Sequence, residues 1–486
     1  MAKTSNLPHT IPSVETAVPA FVGYTQKAEA DGLSLLLKPT RISSILEYES
    51  YFGGRSSIEN ITVILGDAPA RGVKEINISN TEHYLMYDSL RLFFNNEGRD
   101  CFIVSVGFYG TAPSYGDEAD PYNLGLRNGL KALETYDEPS LILFPDAVNV
   151  VTDGNDDPAF YHLQQMALQQ CAELQDRFCI FDLKENISGA YDLAVKNLRY
   201  RIGTSNLKFA AVYSPFLVSS FHKDPKLSSF ENSIYNSAGE SLSLLELCFT
   251  SAETDLLNTY SEASDEETRI ALQVMLYQGT GVIAQIATAI KKKLGTLPPS
   301  GAIAGLYAMV DSSRGVWKAP ANVSINGILG LTKEISNDEQ ANLNVHHSGK
   351  SINVIRSFPE KGVLVWGART LAGNDNEWRY VPVRRFVTMV EESVKKACAP
   401  FMFEPNDAGT WARVRALIED YLSGLWRDGA LAGAKPEQAF FVKVDLGESM
   451  TAQDIVEGQM NIEIGLSVVR PAEFIIIRFS LQMVES

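Results

Sequence analysis

The chain has 486 residues, 45% of them apolar and 21% charged. That length predicts about three domains and a core that needs no disulfide or metal staple, and an aromatic content of 10% with 21 prolines argues against long disordered tracts. Forty-two basic residues against 59 acidic ones leave a net charge of −17, the opposite of a protein that coats duplex DNA or an anionic membrane.

Residues 1–20 carry turn formers without periodicity and read as an extended arm with no apolar stretch of the secretory kind. An α/β region follows over 21–365. VPAFVGY at 18–24 predicts a buried strand, and 42–52 a short helix closed by Gly53 and Gly54. A helix around 83–95 leads to the strand CFIVSVG at 101–107. A helix over 122–133 leads to the apolar strand LILFPDA at 141–147, and one over 158–177 to FCIFDL at 178–183. KFAAVYSPF (208–216) and AIAGLYAMVD (302–311) read as further buried strands. Apolar strands alternating with amphipathic helices predict βαβ units around a mostly parallel sheet. Residues 217–268, rich in serine and acid, read as a surface insertion or small subdomain. The uncharged run 270–290 matches a membrane span in length only; glutamines, threonines and glycines dilute it, and a buried strand followed by a helix is expected instead.

Residues 366–486 read as a separate unit. Helices are predicted over 384–398 and 410–426, each with one apolar face. Strands follow at 440–446 and 461–468, the second alternating apolar and polar residues. The last predicted strand, 473–483, places Ile475, Ile477, Phe479, Leu481 and Met483 on one face, with Phe474 and Ile476 starting the other. Burial of each such side chain contributes roughly 1.5–3 kcal/mol, so this strand belongs inside its own sheet or in that of a neighbouring subunit.

Motifs for catalysis or cofactor binding are weak. Gly279, Thr280, Gly281 and Ala284 form a GxGxxA, but no acidic residue follows before Asp311, so a turn entering a buried helix is expected. Asp146, His162 and Ser205 (in Gly203-Thr204-Ser205) stand in Asp, His, Ser order, yet lie too close together for a subtilase domain. His346 and His347 fall in a polar loop. Five scattered cysteines, none in CxxC spacing, read as buried or idle thiols in a reducing compartment. No cofactor and no metal are expected, and an enzyme is not expected. A serine hydrolase on an α/β fold stands as the reading of another class.

The segment 297–323, LPPSGAIAGLYAMVDSSRGVWKAPANV, resembles the signature of contractile tail sheath proteins, found in phage tails, R-type pyocins and extracellular contractile injection systems. Its family-like residues are Pro298, Pro299, Gly301, Arg314, Gly315, Trp317, Lys318 and Pro320. Trp366, Gly367 and Arg369 in VLVWGARTLA (363–372) continue the resemblance, and further matching blocks run in order along nearly the whole chain. Within these blocks Asp311 and Arg314 are expected to fix a turn, Trp317 to anchor it, and Arg369 to pair with a carboxylate.

The resemblance implies a multi-domain α/β chain: a mixed, subtilisin-like but non-catalytic middle domain, and a C-terminal α+β domain sharing strands between subunits. It implies hexameric rings stacked helically around an inner tube, with contraction driving the tube through a target envelope. The implied partners are further copies of itself, the tube protein, and baseplate and tail-terminator proteins, without nucleic acid or membrane insertion. Assembly would occur in the bacterial cytoplasm. On this reading 1–20 is the N-terminal arm, 366–486 the tube-facing domain, Phe474, Ile475, Ile476, Ile477, Phe479 and Leu481 the shared strand, and Lys395 and Lys396 the tube-facing cations. One departure stands out. Relatives begin with a PGVYIEE-like strand, whereas this chain begins MAKTSNLPHTIPSVET, which raises a specialised baseplate-proximal or end-ring paralogue as an alternative to the bulk sheath.

Overall fold

A computed structural model describes residues 8–68, 71–79, 81–117, 120, 122–150, 157–185, 191–221 and 224–471. Tertiary contacts divide the chain into two units, one of residues 15–309 and 320–374, the other of 1–14, 310–319 and 375–486.

The larger unit is built on a nine-stranded sheet. Its order is Val323–Ser324, Gly362–Val365, Asn353–Phe358, Ala210–Ser214, Phe178–Asp182, Leu141–Leu143, Pro19–Thr25, Cys101–Phe108 and Thr40–Ile42. The six strands from Asn353–Phe358 through Cys101–Phe108 run parallel, and the outer ladders at both edges are antiparallel. The inner strands are buried on both faces: all seven residues of Pro19–Thr25 and all five of Phe178–Asp182 are inaccessible. Such strands carry no alternation, so they appear in the sequence as unbroken apolar runs.

The expected parallel α/β sheet is therefore present, with three local corrections. Residues 302–311 lie not in a strand but in the helix Ser300–Arg314. This helix is buried nearly all round, so its apolar run has no face to betray a period of 3.6. Gly301 and Gly305 let it lie directly on the helix Met86–Asn95. A Cβ on Gly301 would stand 2.3 Å from the Ser89 carbonyl oxygen, and one on Gly305 2.5 Å from that of Phe93. The strand at 141–147 stops at Leu143, and Pro145–Asn149 forms a 3-10 turn with proline in its first positions. The 270–290 run holds two helices, Glu266–Gln278 and Val282–Leu294, bent by 98° about Gly279–Gly281. Among the described residues no single helix is long and apolar enough to cross a membrane.

A second core lies within this unit. The strands Ile61–Leu65, Val73–Ile78 and Ile234–Tyr235 form a three-stranded sheet. Val63, Leu65, Leu227, Ile234, Ile286 and Ile290 pack in the associated cluster. Residues 227–294 thus share one core with 61–78, a partner that sequence periodicity does not indicate.

The smaller unit packs the helices Val381–Cys398 and Ala408–Arg427 with the antiparallel strands Phe440–Lys443 and Glu463–Leu466. Asp407 caps the second helix by accepting the Thr410 N–H at 2.9 Å. Ile11 is buried in this unit's core beside Val414, Ile418 and Leu422. The Val14 N–H donates to Ser393 Oγ at 3.0 Å, so residues 8–14 are fastened to the Val381–Cys398 helix. The residues expected to form a shared strand, Phe474, Ile475, Ile476, Ile477, Phe479 and Leu481, lie outside the described residues.

Candidate functional site

In open parallel sheets, ligands sit at the carboxyl ends of the strands, where the chain order switches direction. Here that point lies at Pro19–Thr25, between Leu141–Leu143 and Cys101–Phe108, and it is filled by the protein's own side chains. Asp146 accepts backbone N–H bonds from Tyr24 at 2.9 Å, Leu85 at 2.6 Å and Met86 at 3.2 Å. Thr25 Oγ1 and Ser105 Oγ meet at 2.7 Å beside it. Two more buried carboxylates follow along the same edge. Asp182 accepts the Ser300 N–H at 2.9 Å and the Ser300 hydroxyl at 2.6 Å. Glu185 accepts the Ser214 hydroxyl at 2.7 Å, the Phe216 N–H at 3.1 Å and the Thr332 hydroxyl at 3.3 Å.

Burial pushes Asp146 up to about 6 and both Asp182 and Glu185 up to about 7; the hydrogen bonds to each carboxylate oppose the rise. Three acids with raised pKa at a strand edge have the outline of a catalytic constellation. Their partners give a different account, because every bond above comes from a backbone N–H or a hydroxyl of a neighbouring segment. A cavity lined by Phe144, Ala147, Phe160 and Asp182 measures only about 10 Å³. These acids fasten strand ends to the helix starts and turns beside them.

The residues singled out in the sequence fall in several places. His162 and Ser205 are exposed while Asp146 is buried and bonded to three backbone amides, so the Asp, His, Ser order corresponds to no shared hydrogen-bond chain. His346 Nδ1 lies 2.8 Å from Ser348 Oγ, and its ring is 3.9 Å from that of His347. Burial, with Arg199 and His347 nearby, lowers the His346 pKa. Among the described residues no group of three or more His, Cys, Asp or Glu side chains is placed to hold a metal. The Gly279–Gly281 segment is a corner between helices, where a Cβ on Gly281 would collide with the Glu253 carboxylate.

The 297–323 block is fastened at several of its residues. Ser300 is locked to Asp182 as described, and Gly301 closes the contact with the Met86–Asn95 helix. In the smaller unit, Asp311 faces Arg385, whose guanidinium donates to both its oxygens, at 3.1 and 2.5 Å, and its carbonyl accepts the Gly315 N–H at 3.1 Å. Arg314 is exposed, and Gly315 makes the turn itself with φ +90°. The Trp317 ring covers that glycine and meets Phe386 edge-on at 6.2 Å. Lys318 is half-buried and its N–H donates to the Gly315 carbonyl.

In the larger unit, Pro298, Pro299 and Pro320 are buried, and Trp366 lies against Phe358 with ring centres 4.5 Å apart. Gly367 passes close to Asn353, which both accepts the Arg369 N–H and donates to the Arg369 carbonyl, each at 2.7 Å. The Arg369 guanidinium donates to the Gly373 carbonyl at 2.9 Å.

Lys395 and Lys396 lie in the last turn of Val381–Cys398, each 3.5 Å from Glu392, with side chains 73% and 43% exposed. Beside them runs an apolar groove of about 540 Å³ lined by Lys395, Cys398, Phe401, Met402, Met460 and Ile462. The more consequential cations of this helix are ones the sequence reading passed over. Arg384 and Arg385 are both almost fully buried on its inner side. Arg384 lies over the Trp378 ring at 4.5 Å and reaches Glu391 at 2.5 Å. The signal was present as two adjacent arginines directly after the apolar start of an amphipathic helix.

Comparison with known proteins places these features in a wider set. The family model for the phage tail sheath protein central domain matches residues 206–371, and that for the phage tail sheath C-terminal domain matches 373–482. The tail sheath protein of Burkholderia phage BcepMu is 29% identical over 143 residues, which is 28% of this chain and 30% of that protein, so the match spans under a third of that relative. Among solved structures, the sheath complex of the extracellular contractile injection system PVC, in its contracted state, aligns over 99% of this chain and 96% of its own, with 28% identity and a TM-score of 0.61. The 6-fold symmetrised baseplate structure of the anti-feeding prophage aligns over 99% and 98%, again with 28% identity and a TM-score of 0.61.

Proposed function

Because this chain belongs to the contractile tail sheath protein family, we propose that it is the sheath subunit of a contractile injection machine, assembling in hexameric rings around an inner tube and contracting to drive that tube through a target envelope. The observation that carries this reading is the alignment of 99% of the chain with an assembled contractile sheath, together with the signature block 297–323. The buried carboxylates support a structural rather than a catalytic role, since their oxygens are committed to backbone amides and hydroxyls. In this reading the α/β unit is subtilisin-like in form without catalysis. Residues 473–483 form a strand shared between subunits, and Lys395 and Lys396 face the tube. The partners are further copies of the chain, the tube protein, the baseplate and the tail terminator. Assembly takes place in the bacterial cytoplasm, after which the subunit is part of a phage tail or tail-like particle.

A second reading is a ring at one end of the sheath, beside the baseplate. One observation favours it: a baseplate structure is among the end-to-end matches. Electron microscopy of the protein expressed alone and with its neighbouring genes separates the two. Cogwheel-section tubes formed by this chain alone establish the bulk sheath. An end ring found only on co-expressed particles establishes the terminal role, and monomers under both conditions overturn both. Deleting 473–486 is expected to abolish ordered assembly while the α/β unit stays folded; normal tubes from that truncation reject the shared strand.

A further inference from the structure

Two thiols face each other inside the larger unit. Cys171 lies near the end of the helix Pro158–Leu174 and Cys179 in the strand Phe178–Asp182, with their Sγ atoms 3.4 Å apart. Both side chains are fully buried. The connection between them is short and held on both sides. Gln175 ends the helix in a left-handed conformation, φ +61°, and the buried Arg177 donates to the Leu133 and Tyr136 carbonyls at 3.0 and 2.6 Å. A disulfide bond measures about 2.05 Å, so the sulfurs need to approach by only about 1.3 Å to join. Cys101 is equally buried but is not part of such a pair, which makes it an internal control for burial alone.

We propose that Cys171 and Cys179 are a latent redox pair that closes to a disulfide under oxidising conditions and clasps the end of the 158–174 helix to the 178–182 strand. The oxidant is a small aliphatic disulfide. One protein thiol, deprotonated to solvent, attacks the reagent's S–S bond and expels one small thiolate. The second protein thiolate then attacks the resulting mixed disulfide and expels the other. Two small thiols form as the two protein thiols are oxidised, and the balance closes. Burial pushes the Cys179 thiol well above its ordinary value and keeps reagent out, so closure waits on local opening of the helix end. The inference rests on the thiol geometry and is independent of the sheath reading.

The test uses the folded, full-length protein incubated with oxidised glutathione at about pH 8, near the ordinary thiol pKa. After acid quenching, the protein is denatured, free thiols are alkylated with iodoacetamide, and the chain is cut with trypsin. Arg177 lies between the two cysteines, so a disulfide leaves peptides 132–177 and 178–184 joined as one species. The expected result is accumulation of this joined species while Cys101 is recovered alkylated. The thermal midpoint is expected to rise by several degrees and to return on adding dithiothreitol. Recovery of Cys171 and Cys179 on separate peptides, alkylated or carrying glutathione, overturns the proposal; so does a joined species whose midpoint equals that of the reduced protein. In Cys171→Ser, Cys179 is expected to yield no joined species; the wild-type measurement stands by itself should that variant fail to fold.

Discussion

The two units handle buried charge in different ways. In the α/β unit, Asp146, Asp182 and Glu185 are held by backbone amides and hydroxyls, and burial raises the pKa of each. In the smaller unit, Arg385 and Asp311 face each other as a buried ion pair. The first arrangement responds to pH in the neutral range, because a carboxyl whose protonated form burial favours changes state there. The second sets a guanidinium against a carboxylate at 3.1 and 2.5 Å. What the comparison teaches is that one chain holds buried acids in two ways, on neutral donors that leave burial free to raise the pKa and on a cation.

The largest effect is expected at the buried ion pair. Arg385→Ala takes a guanidinium away from the nearly buried Asp311 carboxylate and is expected to cost about 3–5 kcal/mol. Urea unfolding followed by intrinsic fluorescence reads this directly, and a loss under about 1 kcal/mol would show that the pair is solvated in practice. Replacing both residues by apolar ones of similar volume is expected to recover much of the loss.

Next comes Asp182. Asp182→Ala leaves the Ser300 N–H without its acceptor and is expected to cost about 1–3 kcal/mol. The isosteric Asp182→Asn sharpens the comparison through pH. The folded pKa, about 7, lies above the unfolded value, so the folded state binds the proton more tightly. The group's contribution is therefore complete below the unfolded carboxyl value, near ~4, and is lost as pH rises through 7. The amide introduced by Asp182→Asn would accept the Ser300 N–H and donate to its hydroxyl at every pH. Between about pH 4 and 8 the wild type is expected to lose stability relative to Asp182→Asn, and parallel stability curves for the two proteins would reject the assignment.

The smallest effect on folding is expected from Lys395→Gln with Lys396→Gln, within about 0.5 kcal/mol, because both side chains are exposed and each meets Glu392 at 3.5 Å. Assembly is the informative readout here. Fewer tube-filled particles by electron microscopy would support contact with the tube, and an unchanged count would remove these lysines from it.

Much of the α/β unit was legible because buried parallel strands announce themselves as short apolar runs between helices. CFIVSVG and FCIFDL need no partner to be recognised. The same logic misread AIAGLYAMVD, since a helix buried on all sides also loses its polar stripe. Gly301 and Gly305, four apart, were the available sign of close helix packing. The helices of the smaller unit, half-exposed, were legible from their amphipathic spacing. Their buried arginines were not, because a charged residue inside an apolar face reads as a boundary until its partner is known.

By itself, the sequence determined the fold class, the order of most elements and, through 297–323, the family. Those properties depend on local propensity, on apolar periodicity and on a contiguous motif, all written along the chain. Tertiary structure alone decided that Asp311 meets Arg385, that Asp182 holds Ser300, that 227–294 shares a core with 61–78, and that Cys171 touches Cys179. Each of the first three joins residues more than seventy positions apart in at least one contact, and all four depend on how closely packed surfaces meet, for which a single sequence carries no periodic signal.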